Sequence, residues 1–134
     1  MPALKTYDLF ISHAWDYNEE YYRLVEMLNG APNFKWRNYS VPEHDPLAGG
    51  SQLRQQLRGQ IRPVNAMLIL AGMYVNHRDW IQSELDLARE YSKPIIGIYP
   101  RGQERAPAQV VAASTAMARW NTDSVIEAIR LHSL

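Results

Sequence analysis

Cysteine is absent from the 134 residues, which removes disulfide scaffolds, zinc–thiolate sites, thiol nucleophiles and redox switching from consideration. Surplus charge is absent too. Fourteen Lys plus Arg face fourteen Asp plus Glu, for a formal net charge of zero, and the cations are scattered rather than gathered in a stripe, so nothing draws a nucleic-acid backbone. The longest apolar run, Ala66 to Ala71, falls far short of the roughly 18 residues of a membrane span. No charged segment followed by an apolar stretch and cleavage site opens the sequence. These absences predict a cytoplasmic protein that binds neither membrane nor nucleic acid. His44, His77 and His132 stand without paired metal-ligand spacing, so no metal site is expected. What remains is an ordinary globular composition, 46% apolar and 21% charged, in a chain of the size of one compact domain, residues 1–134.

Tyr7 to Ile11 is a short β-rich run that stops at Ser12-His13, where polar residues and a turn take over. Asp16, three residues before Glu19, has capping-box spacing, and Tyr21, Leu24, Val25 and Leu28 follow at helical intervals up to Asn29-Gly30; a first helix is predicted there. Phe34 and Trp36, continuing to Asn38-Tyr39, point to a second strand, and Val41 to Gly50 has loop chemistry throughout. Ser51 caps a further predicted helix in which Leu53, Leu57 and Ile61 recur every four positions before Pro63. Asn65 to Leu70 is a continuous apolar run, the pattern of a central strand buried on both faces of a parallel sheet. Asp79 and Gln82 repeat the capping-box spacing and open a helix to about Tyr91, and Lys93-Pro94 introduces a strand from Ile95 to Tyr99. Val110 to Thr115 fits helix or strand; Ala116 to Trp120 reads as a short final strand, and Asn121 or Thr122 caps a last helix carrying Val125, Ile126 and Ile129. Strands alternating with helices predict an α/β fold, an open parallel sheet of about five strands in a three-layer, flavodoxin-like arrangement. Ligands of such sheets bind beyond the carboxyl ends of the strands, which directs attention to residues 12–16, 39–50, 71–79 and 99–104.

One residue breaks the pattern. Projecting the helix that begins at Asp79 at about 100° per residue places Leu87, Trp80, Tyr91, Ala88, Ile81 and Leu85 within one arc of roughly 160°. Glu84 falls inside that arc, between Tyr91 and Ala88, while Asp79, Gln82, Ser83, Asp86, Arg89 and Glu90 take the complementary face. A carboxylate on an inward helical face is costly, and it is retained when it is paired, protonated or used. A buried salt bridge with an Arg, or exposure at the rim near the helix start, would each account for it structurally.

The run Tyr7-Asp8-Leu9-Phe10-Ile11-Ser12-His13, taken together with Trp80-Ile81-Gln82-Ser83-Glu84, resembles TIR and TIR-like domains. The first segment looks like the opening TIR box and the second like the family's Trp-x-x-x-Glu helix. The short length, the Val41-Pro42-Glu43-His44-Asp45-Pro46 loop and the Lys93-Pro94-Ile95-Ile96-Gly97-Ile98 strand look most like the bacterial TIR-like subfamily that includes the Thoeris antiphage-defence protein. Ile81 replaces the family's usual Cys, the Arg-Asp-x-x-Pro-Gly loop is absent, and Arg119-Trp120 is a loose counterpart of the terminal box. These departures argue against an animal adaptor and leave the glutamate in place.

The resemblance implies cleavage of the bond between nicotinamide and ribose in NAD, with Glu84 as the catalytic carboxylate, and cyclisation to a cyclic ADP-ribose-type second messenger. NAD is then substrate, and no resident cofactor is implied. It also implies self-association through TIR surfaces and a downstream effector that senses the product. Ser12 and His13, at the end of the first strand, are placed by topology to contact the ribose or phosphates. As structural alternatives, Ser12 caps a turn and His13 satisfies a backbone carbonyl. Trp15, Tyr39 and Trp80 offer rings to stack on nicotinamide or adenine, or serve as packing residues. The segment 41–50 borders the site as a flap, or is a solvent-exposed connection.

Competing classes lack their chemistry. A receiver-like phosphoacceptor site needs carboxylates where this chain has Ser12-His13 and Ala71-Gly72. No Gly-x-Gly-x-x-Gly follows any strand, and Gly49-Gly50-Ser51 lacks the second glycine of a nucleophile elbow. A non-catalytic TIR-like scaffold acting through protein contacts, with Glu84 structural, is the remaining rival.

Overall fold

The computed structural model describes residues 5–12, 19–39, 58–71, 78–100, 102 and 106–134, with backbone alone at 78–81 and 83. Five strands, β1 (Thr6–Ser12), β2 (Lys35–Asn38), β3 (Ala66–Leu70), β4 (Ile95–Ile98) and β5 (Ala116–Ala118), form one sheet in the order β2-β1-β3-β4-β5. Every pairing is parallel. Helices α1 (Glu19–Gly30), α2 (Arg78–Glu90) and α3 (Ala108–Ala113) lie on the crossovers β1–β2, β3–β4 and β4–β5, and α4 (Thr122–His132) follows β5. This is the expected flavodoxin-like order, and its topological switch lies between β1 and β3, where the chain turns outward in opposite directions.

Strand alternation divides the interior into two cores. Leu9 and Ile11 of β1, Leu68 of β3 and Ile96 of β4 pack with Leu24 of α1 and Ile129 of α4 on one side. Phe10, Met67, Ile69 and Ile95 point the other way, against Leu85 and Ala88 of α2 and Val110 of α3. β3 is buried at every residue, as a central parallel strand covered on both faces must be. In α1, Tyr21, Leu24 and Leu28 are buried on one stripe, and the exposed Arg23–Glu19 pair at 2.8 Å adds only a few tenths of a kcal/mol.

Side chains pin the register. Asp8 and Arg37 are Cα partners across β1 and β2 and pair through two bonds, of 2.6 and 3.0 Å. Asn65 accepts from the Asp8 amide at 2.8 Å, donates its own amide N–H to the Asp8 carbonyl at 2.6 Å, and exchanges further bonds with Leu134. At α4, Asn121 rather than Thr122 is the cap, its side chain accepting from the Ser124 amide at 2.8 Å. The ambiguous stretch 110–115 resolves as the end of α3, with Val110 buried and Ser114 terminating the turn through its hydroxyl on the Val110 carbonyl at 2.7 Å. β2, β4 and β5 are shorter than expected from composition, although Tyr99 continues the ladder by one bond, its amide donating to Ala118 at 2.9 Å. Residues 58–61 are helical, as the spacing before Pro63 predicts; the start of that helix at Ser51 lies outside the described residues. No helix among the described residues is long and apolar enough to cross a membrane.

Gly97 on β4 has no room for a side chain: a Cβ there would meet the Ser114 hydroxyl at 2.8 Å and the Met117 side chain. Gly97→Ala is therefore expected to lower unfolding stability by about 1–3 kcal/mol through overpacking. Gly30, whose Cβ would meet nothing within 4 Å, tolerates Ala with no loss. Urea unfolding of both variants checks the contrast.

Candidate functional site

All strands being parallel, their carboxyl ends share one edge of the sheet. β1 reaches that edge at Ser12, whose register partner on β3 is Ile69. Alternation puts Ser12 on the same side as Phe10, facing α2 rather than α1. α2 lies against that side because Leu85, Leu87 and Ala88 bury there, at 0%, 6% and 0% exposure. Its polar residues Asp86, Arg89 and Glu90 are exposed. The same rotation that sinks the three apolar residues sinks Glu84, which is 2% exposed.

Ser12 and Glu84 are, among the described residues, the two buried polar side chains, and they are bonded to each other. The Ser12 hydroxyl donates to Glu84 Oε1 at 2.9 Å, across 72 positions of sequence. No cation among the described residues lies within ion-pair distance of Glu84, so neither a buried Arg bridge nor rim exposure explains it there. Burial pushes the Glu84 carboxyl well above the usual carboxylate range, and the Ser12 hydrogen bond pulls the other way with a smaller effect. The arrangement is an acidic group in an apolar wall, held from behind by one hydroxyl, at the switch point where ligands of this architecture bind.

Of the other residues singled out in the sequence, Tyr39 follows β2 directly, is half-buried, and packs on the same core as Phe10 and Leu85. Its amide donates to the Leu9 carbonyl at 2.8 Å. Tyr39 and Ser12 thus stand at the carboxyl ends of neighbouring strands, on the α2 side. Trp80 is in the first turn of α2, four residues before Glu84, with its side chain outside the described residues. His13, Trp15 and the 41–50 flap also lie outside them. Two surface grooves of about 290 and 330 Å³ run along α4, lined in part by Ile126 and Arg130 and by Met117 and His132, and neither involves Ser12 or Glu84. No cluster of three His, Asp or Glu among the described residues could hold a metal. Sequence reasoning singled out both members of the buried pair but not their bond; the signal for it was the shared parity of Phe10 and Ser12, which turns Ser12 toward the helix that carries Glu84.

The model of the family described as Thoeris protein ThsB, TIR-like domain, matches residues 10–105, a span that includes Ser12 and Glu84. No curated protein matches the chain.

A carboxyl whose pKa is raised by folding destabilises the fold as it ionises. Stability is full below the ordinary value of 4.5 and falls as pH rises from there toward the folded-state value, because the folded protein holds a proton that the unfolded chain releases. Glu84→Gln keeps an acceptor for Ser12 and abolishes that loss. The variant is expected to match wild type most closely at pH 4 and to gain on it by up to about 1.4 kcal/mol per pH unit above that. Urea titrations at pH 4 and pH 7 read the difference; an offset independent of pH would contradict the perturbed carboxyl.

Proposed function

The chain belongs to the family of the Thoeris ThsB TIR-like domain, and from that premise together with the buried Glu84 we propose that it is an NAD nucleosidase and cyclase of bacterial antiphage defence. The observation that carries the reading is the position of Glu84: 2% exposed, on the inward face of α2, hydrogen-bonded to the end of β1.

The chemistry asks little of the protein. Nicotinamide in NAD is already a pyridinium, so when the bond from the ribose anomeric carbon to the ring nitrogen breaks, the electron pair goes to that nitrogen and a neutral base departs. No general acid is needed for the leaving group, in contrast to ordinary glycoside hydrolysis. The ribose is left as an oxocarbenium-like cation. Glu84, ionised, stabilises that charge and holds the ribose hydroxyls, and it does so best where water is scarce. Phe10, Ile69, Leu85 and Ala88 make such a wall. Burial favours the protonated carboxyl, and the cationic ring of the arriving substrate favours the ionised one. Attack on the anomeric carbon by water, with loss of a proton, yields ADP-ribose; attack by a nucleophile of the same molecule yields a cyclic product that serves as a second messenger.

In this reading His13, Trp15, Tyr39 and Trp80 border the substrate, NAD enters as substrate rather than cofactor, and a downstream effector senses the product in the cytoplasm. Self-association through TIR surfaces assembles the active form. Purified protein incubated with NAD over a range of protein concentrations is expected to release nicotinamide, with an ADP-ribose-type product resolved by chromatography. Glu84→Gln, shown folded by its far-ultraviolet dichroism, should lose at least about 100-fold in rate, the scale of a removed charge-stabilising group. Wild-type rates in that variant would rule out the mechanism, and a wild type silent at every concentration would favour the scaffold reading.

A further inference from the structure

Ser12 follows three apolar residues and has Ile69 as its register partner on β3. It closes β1 after Leu9, Phe10 and Ile11, all fully buried, and is itself 0% exposed. A hydroxyl in such a place is costly unless its bond is made. The bond it makes goes to Glu84 Oε1, at 2.9 Å, and among the described residues Oε2 takes none. β1, β3, α2 and α3 present Phe10, Ile69, Ala88 and Val110 to this side of the sheet, with Tyr39 and Tyr91 partly buried against them, and burial and the Ser12 hydrogen bond, rather than a neighbouring charge, set the state of Glu84. A glutamate has three side-chain torsions to fix, and an apolar wall offers no polar atom to fix them.

We propose that Ser12 is a positioning residue for Glu84: its hydroxyl holds Oε1 from within the core, so that Oε2 is the oxygen presented to the ribose, and Ser12 does not itself touch the substrate. The inference rests on the NAD-cleaving reading for the identity of the substrate and on the observed bond for the positioning. It gives Ser12 a part different from that of a residue lining the pocket. A lining residue contributes to binding; a positioning residue contributes to the geometry and ionisation of the group it holds. Donating to the carboxylate also opposes the upward pull of burial on Glu84, so Ser12 increases the fraction of enzyme in the ionised, working form.

Ser12→Ala separates the two parts. Its kcat for nicotinamide release is expected to fall about tenfold while KM for NAD stays within about twofold. The acidic limb of its pH–rate profile should move upward by about one pH unit, since the lost donor stabilised the ionised carboxyl. Ser12→Thr, which restores a hydroxyl, should recover most of both. A raised KM with the limb unmoved would assign Ser12 to the substrate instead, and an unchanged kcat and limb would leave it as filler; either overturns the proposal.

Carbon-13 labelling of glutamate carboxyls reads the same point without turnover. Glu84→Gln identifies the Glu84 resonance, and its titration midpoint is expected to rise in Ser12→Ala. If wild type releases no nicotinamide, the NAD reading fails, yet an unmoved midpoint would still refute the clamp and a raised one would still support it. Should the alanine variant not fold, Ser12→Cys, of similar shape and with a weaker donor, carries the titration.

Discussion

A carboxyl group immersed in the apolar face of a helix is the constraint on which this molecule turns. Taking an ionised carboxylate out of water costs several kcal/mol even after relaxation, and one hydrogen bond to a charged group returns about 1.5–3 kcal/mol. The Ser12 hydroxyl therefore offsets part of the penalty at Glu84 and leaves the rest, which is why the carboxyl lies well above its ordinary range. Neither partner could relocate cheaply. Glu84 is carried inward by the rotation that buries Leu85, Leu87 and Ala88, and Ser12 by the alternation that buries Phe10. The pair is thus a by-product of good packing on both elements, and the residual imbalance is available to any ligand that brings positive charge to the sheet's carboxyl edge.

Most of the architecture could be read in advance because its periods are strong. The fully apolar run at 66–70, short and followed closely by further strand signals, fits a strand covered on both sides, and it is the middle strand of the sheet. The arc on α2 predicts the burial of Leu85, Leu87 and Ala88, and helical phase alone isolates Glu84 among them. The α/β alternation predicts parallel pairing and directs attention to the carboxyl edge, where Ser12 lies. The resemblance to TIR domains singled out Glu84, topology singled out Ser12, and the residues matched by the family model include both.

What resisted prediction has local causes. α3 is only six residues long, too short for a helical period to emerge, and its Val110-Val111 pair suits a strand equally well. Composition overextends β2, β4 and β5, since Tyr39, Tyr99 and Trp120 favour strands but lie where the ladder runs out. Asn121 is the cap because its backbone is extended and its side chain accepts from the Ser124 amide, and since Asn and Thr are both common caps, composition alone does not choose between them. The Ser12–Glu84 bond joins positions 72 residues apart, and no one-dimensional pattern announces a contact of that span. Parity and helical phase, each legible alone, meet only once the crossover docks α2 on the sheet.

Successive residues at the end of β1 serve opposite layers: Ile11 turns to α1 and α4, Ser12 to α2. Because side chains in a strand change sides at each step, losing or gaining one residue within β1 would exchange them, sending an aliphatic group against the carboxyl and a hydroxyl into the opposite core. Descendants of this gene can therefore respell β1 letter by letter but cannot alter its count, so that insertions and deletions should be confined to the connections and the reading frame of the strand inherited whole.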